Sequence, residues 1–258
     1  MKIDRDKVVE VVTNITDLFS NHEKAEHIKE KGVQDYVTEV DTSVQKRVTQ
    51  KLKELYPSVQ MLGEEKDNTG VDRDGDLWIL DPVDGTTNLI RDFRCSALSL
   101  GYVEEGELKY GVIFDPYHNE LYEAEKGKGA TVNSKPIHVS SADTIHDSLI
   151  AFGTNPYTKG EESDKDFEIV RKLFHECIDI RRMGAASIDL IYVATGRTEA
   201  FFERLLRPWD FAAGMLILEE AGGEVVDFNG KRPDPRYNSS ILATNGRITK
   251  KMLDYLDG

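Results

Sequence analysis

The chain has 258 residues, 39% hydrophobic and 31% charged, with 20 Gly and 8 Pro. That is enough for one large domain or two joined lobes with a real core, and it excludes a disordered or fibrous chain. Lys plus Arg is 33 against 47 for Asp plus Glu, a formal charge of −14, which argues against nucleic acid or an anionic membrane as the main partner because both select a basic face.

From Asp4 to about Glu30 the apolar residues Val8, Val11, Val12, Ile15, Leu18 and Phe19 fall at helical spacing, which predicts one helix with a buried stripe. Lys31 to Gln34 breaks that pattern, and Tyr36 and Val37 read as a short strand. Asp41-Thr42-Ser43 is expected to cap a second helix carrying Val44, Val48, Leu52 and Leu55, with Pro57 after its end. Apolar runs then read as strands over 59–62, 77–80, 97–103, 108–114 and 120–125, with Glu105-Gly106 as a hairpin turn. The second part alternates strand and helix. Strands are expected at 148–152, 178–181, 200–202, 224–226 and 241–243. Helices are expected at 167–175, 185–195, 209–221 (closed by Gly222-Gly223) and 248–256. Such alternation suggests layered α/β structure. The polar segment 133–147 is the expected boundary between a lobe of residues 1–140 and one of residues 141–258, two lobes sharing an interface.

The most informative stretch is Asp81-Pro82-Val83-Asp84-Gly85-Thr86-Thr87-Asn88. It follows an apolar strand, so two carboxylates converge at a strand end. Pro82 stops ladder pairing, and Gly85 permits a tight backbone path. The amides and hydroxyls that follow would open a short helix, a natural place for an anion. Carboxylates beside a phosphate repel it unless a cation lies between, and hard oxygen ligands select Mg²⁺ over zinc. A metal-bridged phosphate would also answer how so acidic a chain attracts an anion. The plain alternative is an Asp-rich turn with Asx hydrogen bonds. Gly63-Glu64-Glu65 lies at another strand end, and Pro208-Trp209-Asp210 opens an apolar helix containing Gly214. Taken singly, these two read as a solvated acidic loop and an ordinary first-turn Asp.

In order and spacing, these pieces resemble the inositol monophosphatase family of Mg²⁺-dependent, lithium-sensitive phosphatases. The resemblance covers nearly the whole chain. It extends to Asp35-Tyr36-Val37-Thr38-Glu39-Val40-Asp41, Gly184-Ala185-Ala186, Phe202-Glu203 and Ala212-Ala213-Gly214. It implies a layered αβαβα sandwich, α+β or α/β in class, assembled as a homodimer. It implies metal ligation by Glu64, Asp81, the Val83 carbonyl, Asp84 and Asp210, with two or three Mg²⁺ ions per site. By the same resemblance Thr86 helps activate the attacking water, Asp41 accepts a hydrogen bond from Thr86, and Glu64 orients the water. The amides of Gly85 and Thr86 hold the phosphate, and Gly184, Ala186, Glu203, Asp84 and Asp210 face the substrate. Glu65 is placed behind the metals, and Lys31 resembles a mobile-loop lysine, a solvated helix-end lysine being its alternative. Arg181, Arg182 and Arg207 are either anion contacts or surface and dimer-contact charges.

Six histidines share no motif with one another, and there is no Walker loop or GxSxG elbow. Gly127-Lys128-Gly129 reads as a turn, Trp78 as core, and Trp209 as packing at a helix start. Cys95 and Cys177 are the only cysteines and lack CxxC spacing, which sets aside a Cys-based zinc site or redox pair. With no apolar leader and no bilayer-length apolar run, the chain is expected in the cytoplasm, with no membrane and no nucleic acid as partner. The expected function is hydrolysis of a small polyol phosphate, inositol 1-phosphate foremost. Fructose 1,6-bisphosphate, the 2′-phosphate of NADP and 3′-phosphoadenosine 5′-phosphate are alternatives among relatives of this fold. A regulatory partner of RNA polymerase or the ribosome is a further alternative.

Overall fold

Three hydrophobic clusters, each lying between two layers of secondary structure, organise the chain. The computed structural model describes residues 3–20, 22–32, 35–154 and 160–256. Three short helices, α1 (Arg5–Thr13), α2 (Thr16–Phe19) and α3 (His22–Glu26), precede a hairpin of β1 (Ile28–Gly32) and β2 (Asp35–Thr38), and then the long helix α4 (Glu39–Leu55). A seven-stranded sheet follows: β3 (Gln60–Gly63), β4 (Leu77–Asp84), β5 (Ala97–Glu104), β6 (Glu107–Asp115), β7 (Glu120–Glu125), β8 (Ala130–Val132) and β9 (Lys135–Pro136), in that spatial order. Helix α5 (Thr86–Ile90) sits between β4 and β5. The remaining elements are β10 (Leu149–Phe152), α6 (Glu161–Phe174), β11 (Asp179–Arg181), α7 (Ala186–Ala194), β12 (Ala200–Leu206), α8 (Pro208–Glu220), β13 (Glu224–Val226), β14 (Ser239–Thr244) and α9 (Thr249–Leu256). Their strands form a five-stranded mixed sheet, ordered β11-β10-β12-β14-β13.

Strand alternation produces the layers. Trp78, Leu80, Leu100, Tyr102, Tyr110 and Val112 face Val8, Val12, Val44, Val48 and Leu52 of the N-terminal helices. Leu77, Ile79, Ile113 and Tyr122 face the other way, onto α7 and α8. The same central cluster takes Ala151, Phe201, Ile241 and Ala243 from the second sheet. Ile150, Phe152, Phe202 and Leu242 point outward to Ile169 and Leu173 of α6 and Met252 of α9. The order is therefore helix, sheet, helix, sheet, helix: the αβαβα sandwich that the resemblance implies. No helix among the described residues is long and apolar enough to cross a membrane.

Two sequence expectations need correction. The stripe from Val8 to Phe19 is buried as expected, but it belongs to separate helices rather than one ending near Glu30. Thr13 Oγ1 donates back to the Val9 carbonyl at 2.8 Å, α1 ends at Asn14, and Arg47 of α4 donates to the Asn14 carbonyl at 2.9 Å and to Asp17 at 2.7 Å. Side chains that bond the backbone locally compete with the helix, and one cation from α4 holds the break. Residues 28–32 then pair as a strand, whereas the expected break continues through Val33 and Gln34, which lie outside the described residues. Nor does Asp41-Thr42-Ser43 cap α4. Thr38 is the N-cap, in extended backbone, and Asp41 is the third helical residue, reaching back to the Thr38 amide at 2.8 Å. The result is a capping box. Leu55, at the end of α4, is 36% exposed.

Helix α8 lies unusually close to the first sheet. Gly101 and Gly111 pair across β5 and β6, and a Cβ on Gly111 would meet the Ala213 carbonyl oxygen at 2.8 Å. On its other side, a Cβ on Gly214 would meet Leu190 Cβ of α7 at 2.8 Å. The small residues Ala212-Ala213-Gly214 thus let one helix slot between a sheet and a helix, and Ser99 of β5 donates to the Trp209 carbonyl at 3.2 Å to fix its start. Gly111→Ala should force α8 off the sheet. Overpacking of this kind costs about 1–3 kcal/mol, a drop in melting temperature of roughly 3–10 °C for a chain of this size. Thermal melting followed by far-UV circular dichroism checks this, and an unchanged midpoint would contradict the close packing.

Candidate active site

Four acidic residues reach one region from three places in the fold: Glu64 after β3, Asp81 and Asp84 on β4, and Asp210 in α8. β3 and β4 run parallel, with Gly63 beside Leu80, and the Glu64 amide donates to the Leu80 carbonyl at 3.2 Å. Glu64 therefore emerges next to Asp81. Asn68 clamps this turn, accepting from the Gly63 amide at 3.1 Å and donating to the Gly63 carbonyl at 2.8 Å. The β4–β5 pairing runs to Asp81 opposite Ser99, slips over Pro82 and Val83, and resumes at Asp84 opposite Ala97. Pro82 thus sits in a bulge rather than ending the strand. The Val83 amide donates to Asp81 Oδ1 at 3.0 Å, so the Asx bond of the plain alternative is present alongside the clustering. Gly85, with φ +89°, turns the chain into α5, and a Cβ there would meet the Cys95 carbonyl oxygen at 2.9 Å.

Each aspartate is oriented by protein donors. Asp84 Oδ2 accepts from the Ser187 amide at 2.6 Å and the Ser187 hydroxyl at 2.5 Å. Asp210 Oδ2 accepts from the Arg207 amide at 2.7 Å, capping α8 from its third position. Asp41 Oδ2 accepts from the Thr38 amide and hydroxyl, and Asp41 Oδ1 from the Thr86 hydroxyl at 2.8 Å. Thr86 Oγ1 lies 3.2 Å from the Val83 carbonyl oxygen as well. The shorter contact to a carboxylate takes its single proton, which leaves its lone pairs to accept.

These acids repel one another in a dry place. Burial first, then Glu64, Asp84 and Asp210, holds the Asp81 carboxyl well above the usual range. Burial raises Asp84 to about 6 against the opposing Ser187 hydrogen bonds. Burial, then Glu64 and Asp84, holds the Asp210 carboxyl well above the usual range too. Glu65 is pushed up to about 7 by burial and by Glu64, despite Lys31. The Lys31 ammonium from β1 donates to Glu64 Oε1 at 3.0 Å and to Glu65. Burial opposes its charge, but the two glutamates outweigh burial and raise its pKa.

A cavity of about 190 Å³ is lined by Glu64, Asp84, Gly184, Ala186, Glu203 and Asp210 together with Gly153, Thr154, Arg182, Asp189 and Arg207. A larger groove of about 940 Å³ runs beside residues 3–6, Tyr102 and Tyr110, but its acids and bases are mixed rather than convergent. The neighbouring arginines separate. Arg182 donates to Thr154 Oγ1 at 3.0 Å within the cavity. Arg181 instead pairs on the surface with Asp179 at 2.5 Å, and Arg207 lies over the Trp209 ring at 5.8 Å. Burial pushes the Glu203 carboxyl up to about 8, with Arg182 opposing.

The donor set fits a hard divalent cation. Every candidate ligand is an oxygen, burial and neighbouring carboxylates raise the pKa values of Asp81, Asp84 and Asp210, and a protein ammonium already stands against Glu64 and Glu65. Among the described residues no three acidic, His or Cys side chains yet converge on one ion position. Ion binding would therefore draw the carboxylates together and loosen Glu64 from Lys31. Glu64, Asp81, Asp84 and Asp210, with the Val83 carbonyl, are the oxygen donors of this region that could hold such a cation. The sequence reading did not single out Ser187, Asn68, Thr154, Gly153 or Asp189. Ser187 follows the Gly184-Ala185-Ala186 motif directly, which is the one signal that would have found it.

Comparison with known proteins agrees with the fold. The inositol monophosphatase family matches residues 1–257. The Nus factor SuhB of Escherichia coli strain K12 is 39% identical over 239 residues, 92% of this chain and 88% of that protein. The extragenic suppressor protein suhB of Bartonella henselae superposes with a TM-score of 0.90 at 32% identity, covering 98% of this chain and 97% of that one. An IMPase of Thermotoga maritima superposes with a TM-score of 0.87 at 30% identity, covering 99% and 97%. The matched family is generally Mg²⁺-dependent.

Ser187→Ala removes a hydroxyl that orients Asp84 while leaving the acid in place. Groups that orient a ligand in this way are typically worth 10–100-fold in metal affinity, so the Mg²⁺ dissociation constant should rise about tenfold or more. Calorimetric titration checks this, and an unchanged constant would show that Ser187 does not orient a metal ligand.

Proposed function

Because this chain belongs to the inositol monophosphatase family, we propose that it is a cytoplasmic, Mg²⁺-dependent phosphomonoesterase that hydrolyses a small polyol phosphate, inositol 1-phosphate foremost. The observation that carries the reading is the junction of two arrangements. Mutually repelling acids, Glu64, Asp81, Asp84 and Asp210, lie beside a Thr86 hydroxyl already committed to Asp41. Bound Mg²⁺ supplies positive charge that screens the phosphate from these carboxylates and lowers the pKa of water at neutral pH.

The chain's own groups do the rest. Thr86 donates to Asp41, so its oxygen accepts a hydrogen from the attacking water, and Asp41 fixes the direction of that relay. Glu64 orients the same water from the end of the neighbouring parallel strand. The Gly85 and Thr86 amides, at the half-buried start of α5, hold the phosphate oxygens. Gly184 and Ala186 offer backbone to the polyol, and Glu203 accepts from its hydroxyls.

A second reading, a regulatory binding partner, is favoured by one observation: relatives 38–39% identical over 239 residues carry the name Nus factor SuhB. The net charge of −14 points such a role toward a protein surface rather than bare RNA. A partner captured equally by wild type and Asp84→Asn would support it.

The phosphatase reading is tested by phosphate release with Mg²⁺ from inositol 1-phosphate, fructose 1,6-bisphosphate, NADP 2′-phosphate and 3′-phosphoadenosine 5′-phosphate. Inositol 1-phosphate should be turned over fastest, and inactivity on all four would overturn the reading. Asp84→Asn should abolish turnover while the far-UV signal stays folded, and a rate within about tenfold of wild type would contradict its role. Thr86→Ala should lower kcat by about 10²-fold or more with little change in KM, as loss of a proton-relay group does.

A further inference from the structure

The cavity holds one acid with no evident purpose in the scheme above. Asp189 lies in the first turn of α7, is 1% exposed, and lines the cavity with Glu203, Arg182, Gly153 and Thr154. Its Oδ1 is buried, and no donor among the described residues reaches it. Its neighbours differ: Asp41, Asp81, Asp84 and Asp210 all accept from protein donors. A buried carboxyl oxygen with no donor is costly, and native interiors seldom keep one without a partner supplied from elsewhere. Arg182 faces the same cavity, but its Nη2 is engaged with Thr154 Oγ1 at 3.0 Å.

Glu203 sits next to Asp189 for a steric reason. A Cβ on Gly153 would overlap Glu203 Oε2, so the carboxyl occupies the notch left by a missing side chain just after β10. Two carboxyls, from α7 and β12, therefore share one wall. Burial, then Glu203 and Asp84, keeps the Asp189 carboxyl well above the usual range. In either protonation state it accepts a hydrogen bond, and when protonated it also donates one. An alcohol hydroxyl does both. An apolar leaving group does neither, and would leave Asp189 buried and unpaired.

We propose that Asp189 is a specificity-determining residue which, with Glu203, reads hydroxyls of the leaving alcohol and so restricts the site to phosphate esters of polyols. The proposal rests on the phosphatase reading above and adds to it the residue that selects the alcohol. A purely structural Asp189, stabilising the start of α7 by its charge, would instead affect every substrate alike.

The test compares kcat and KM, with saturating Mg²⁺, for inositol 1-phosphate and for phenyl phosphate, whose leaving group carries no further hydroxyl. Wild type, Asp189→Asn and the nearly isosteric Asp189→Leu are assayed. Asp189→Leu should raise KM for inositol 1-phosphate about tenfold or more, the usual worth of a hydrogen bond to an otherwise unpaired buried group, with kcat/KM for phenyl phosphate within about twofold. Asp189→Asn, which keeps a donor and an acceptor, should stay within about threefold of wild type on both probes. If Asp189→Leu does not fold, Asp189→Ser carries the same contrast, because its hydroxyl is too short to reach. Equal losses on both probes, or unchanged kinetics on inositol 1-phosphate, would overturn the proposal. A wild type inactive on both probes would overturn the phosphatase reading beneath it, a distinct result.

Discussion

Like charges held close together in a dry place are the constraint on which the rest of this structure depends. Glu64, Asp81, Asp84 and Asp210 come from residues as far apart in sequence as the ends of β3 and β4 and the start of α8. Left alone, such acids would separate or take up protons. The fold prevents separation. β3 and β4 are locked in parallel register, the bulge at Pro82-Val83 re-aims Asp84, and α8 is pressed onto the sheet through Gly101, Gly111 and the small face Ala212-Ala213-Gly214. The stability spent on this cluster is supplied by the three apolar clusters around it.

Orientation is a separate matter from proximity. Ser187, the Arg207 amide, the Val83 amide and the Thr38–Thr86 pair each take particular carboxylate oxygens. Two of the acids, Asp41 and Asp210, are third residues of helices and act as caps. Capping thus does two jobs, ending a helix properly and aiming an acid. The Lys31 ammonium balances part of the excess charge at Glu64 and Glu65 and must yield to any cation that binds there.

Much of this was legible in the sequence because motifs at strand ends are local. Apolar runs followed by Gly63-Glu64-Glu65 and by Asp81 to Asn88 mark where strands stop and acids emerge, and the strand limits follow from alternation. Even the hairpin at Glu105-Gly106 was set by its turn chemistry, with positive φ at both residues. Helical periodicity misled at residues 4–30, because the stripe continues across breaks that Thr13 and Asn14 introduce and Arg47 fixes from another helix. Asp41 was read as part of a cap when it is the reciprocal partner of Thr38. Ser187 on Asp84 and Gly153 against Glu203 join residues far apart in the chain, and apart from the place of Ser187 directly after Gly184-Ala185-Ala186 no local pattern announces them. An orphaned oxygen such as that of Asp189 exists only once burial is known.

The most direct test of the central claim is a crystal structure grown with Mn²⁺ in place of Mg²⁺, with anomalous density recorded at the manganese edge. The account predicts peaks between Asp81, Asp84, Asp210 and Glu64, with the Val83 carbonyl at one of them and Lys31 drawn away from Glu64. Density elsewhere on the surface, with Asp210 turned from Asp81 and Asp84, would contradict it.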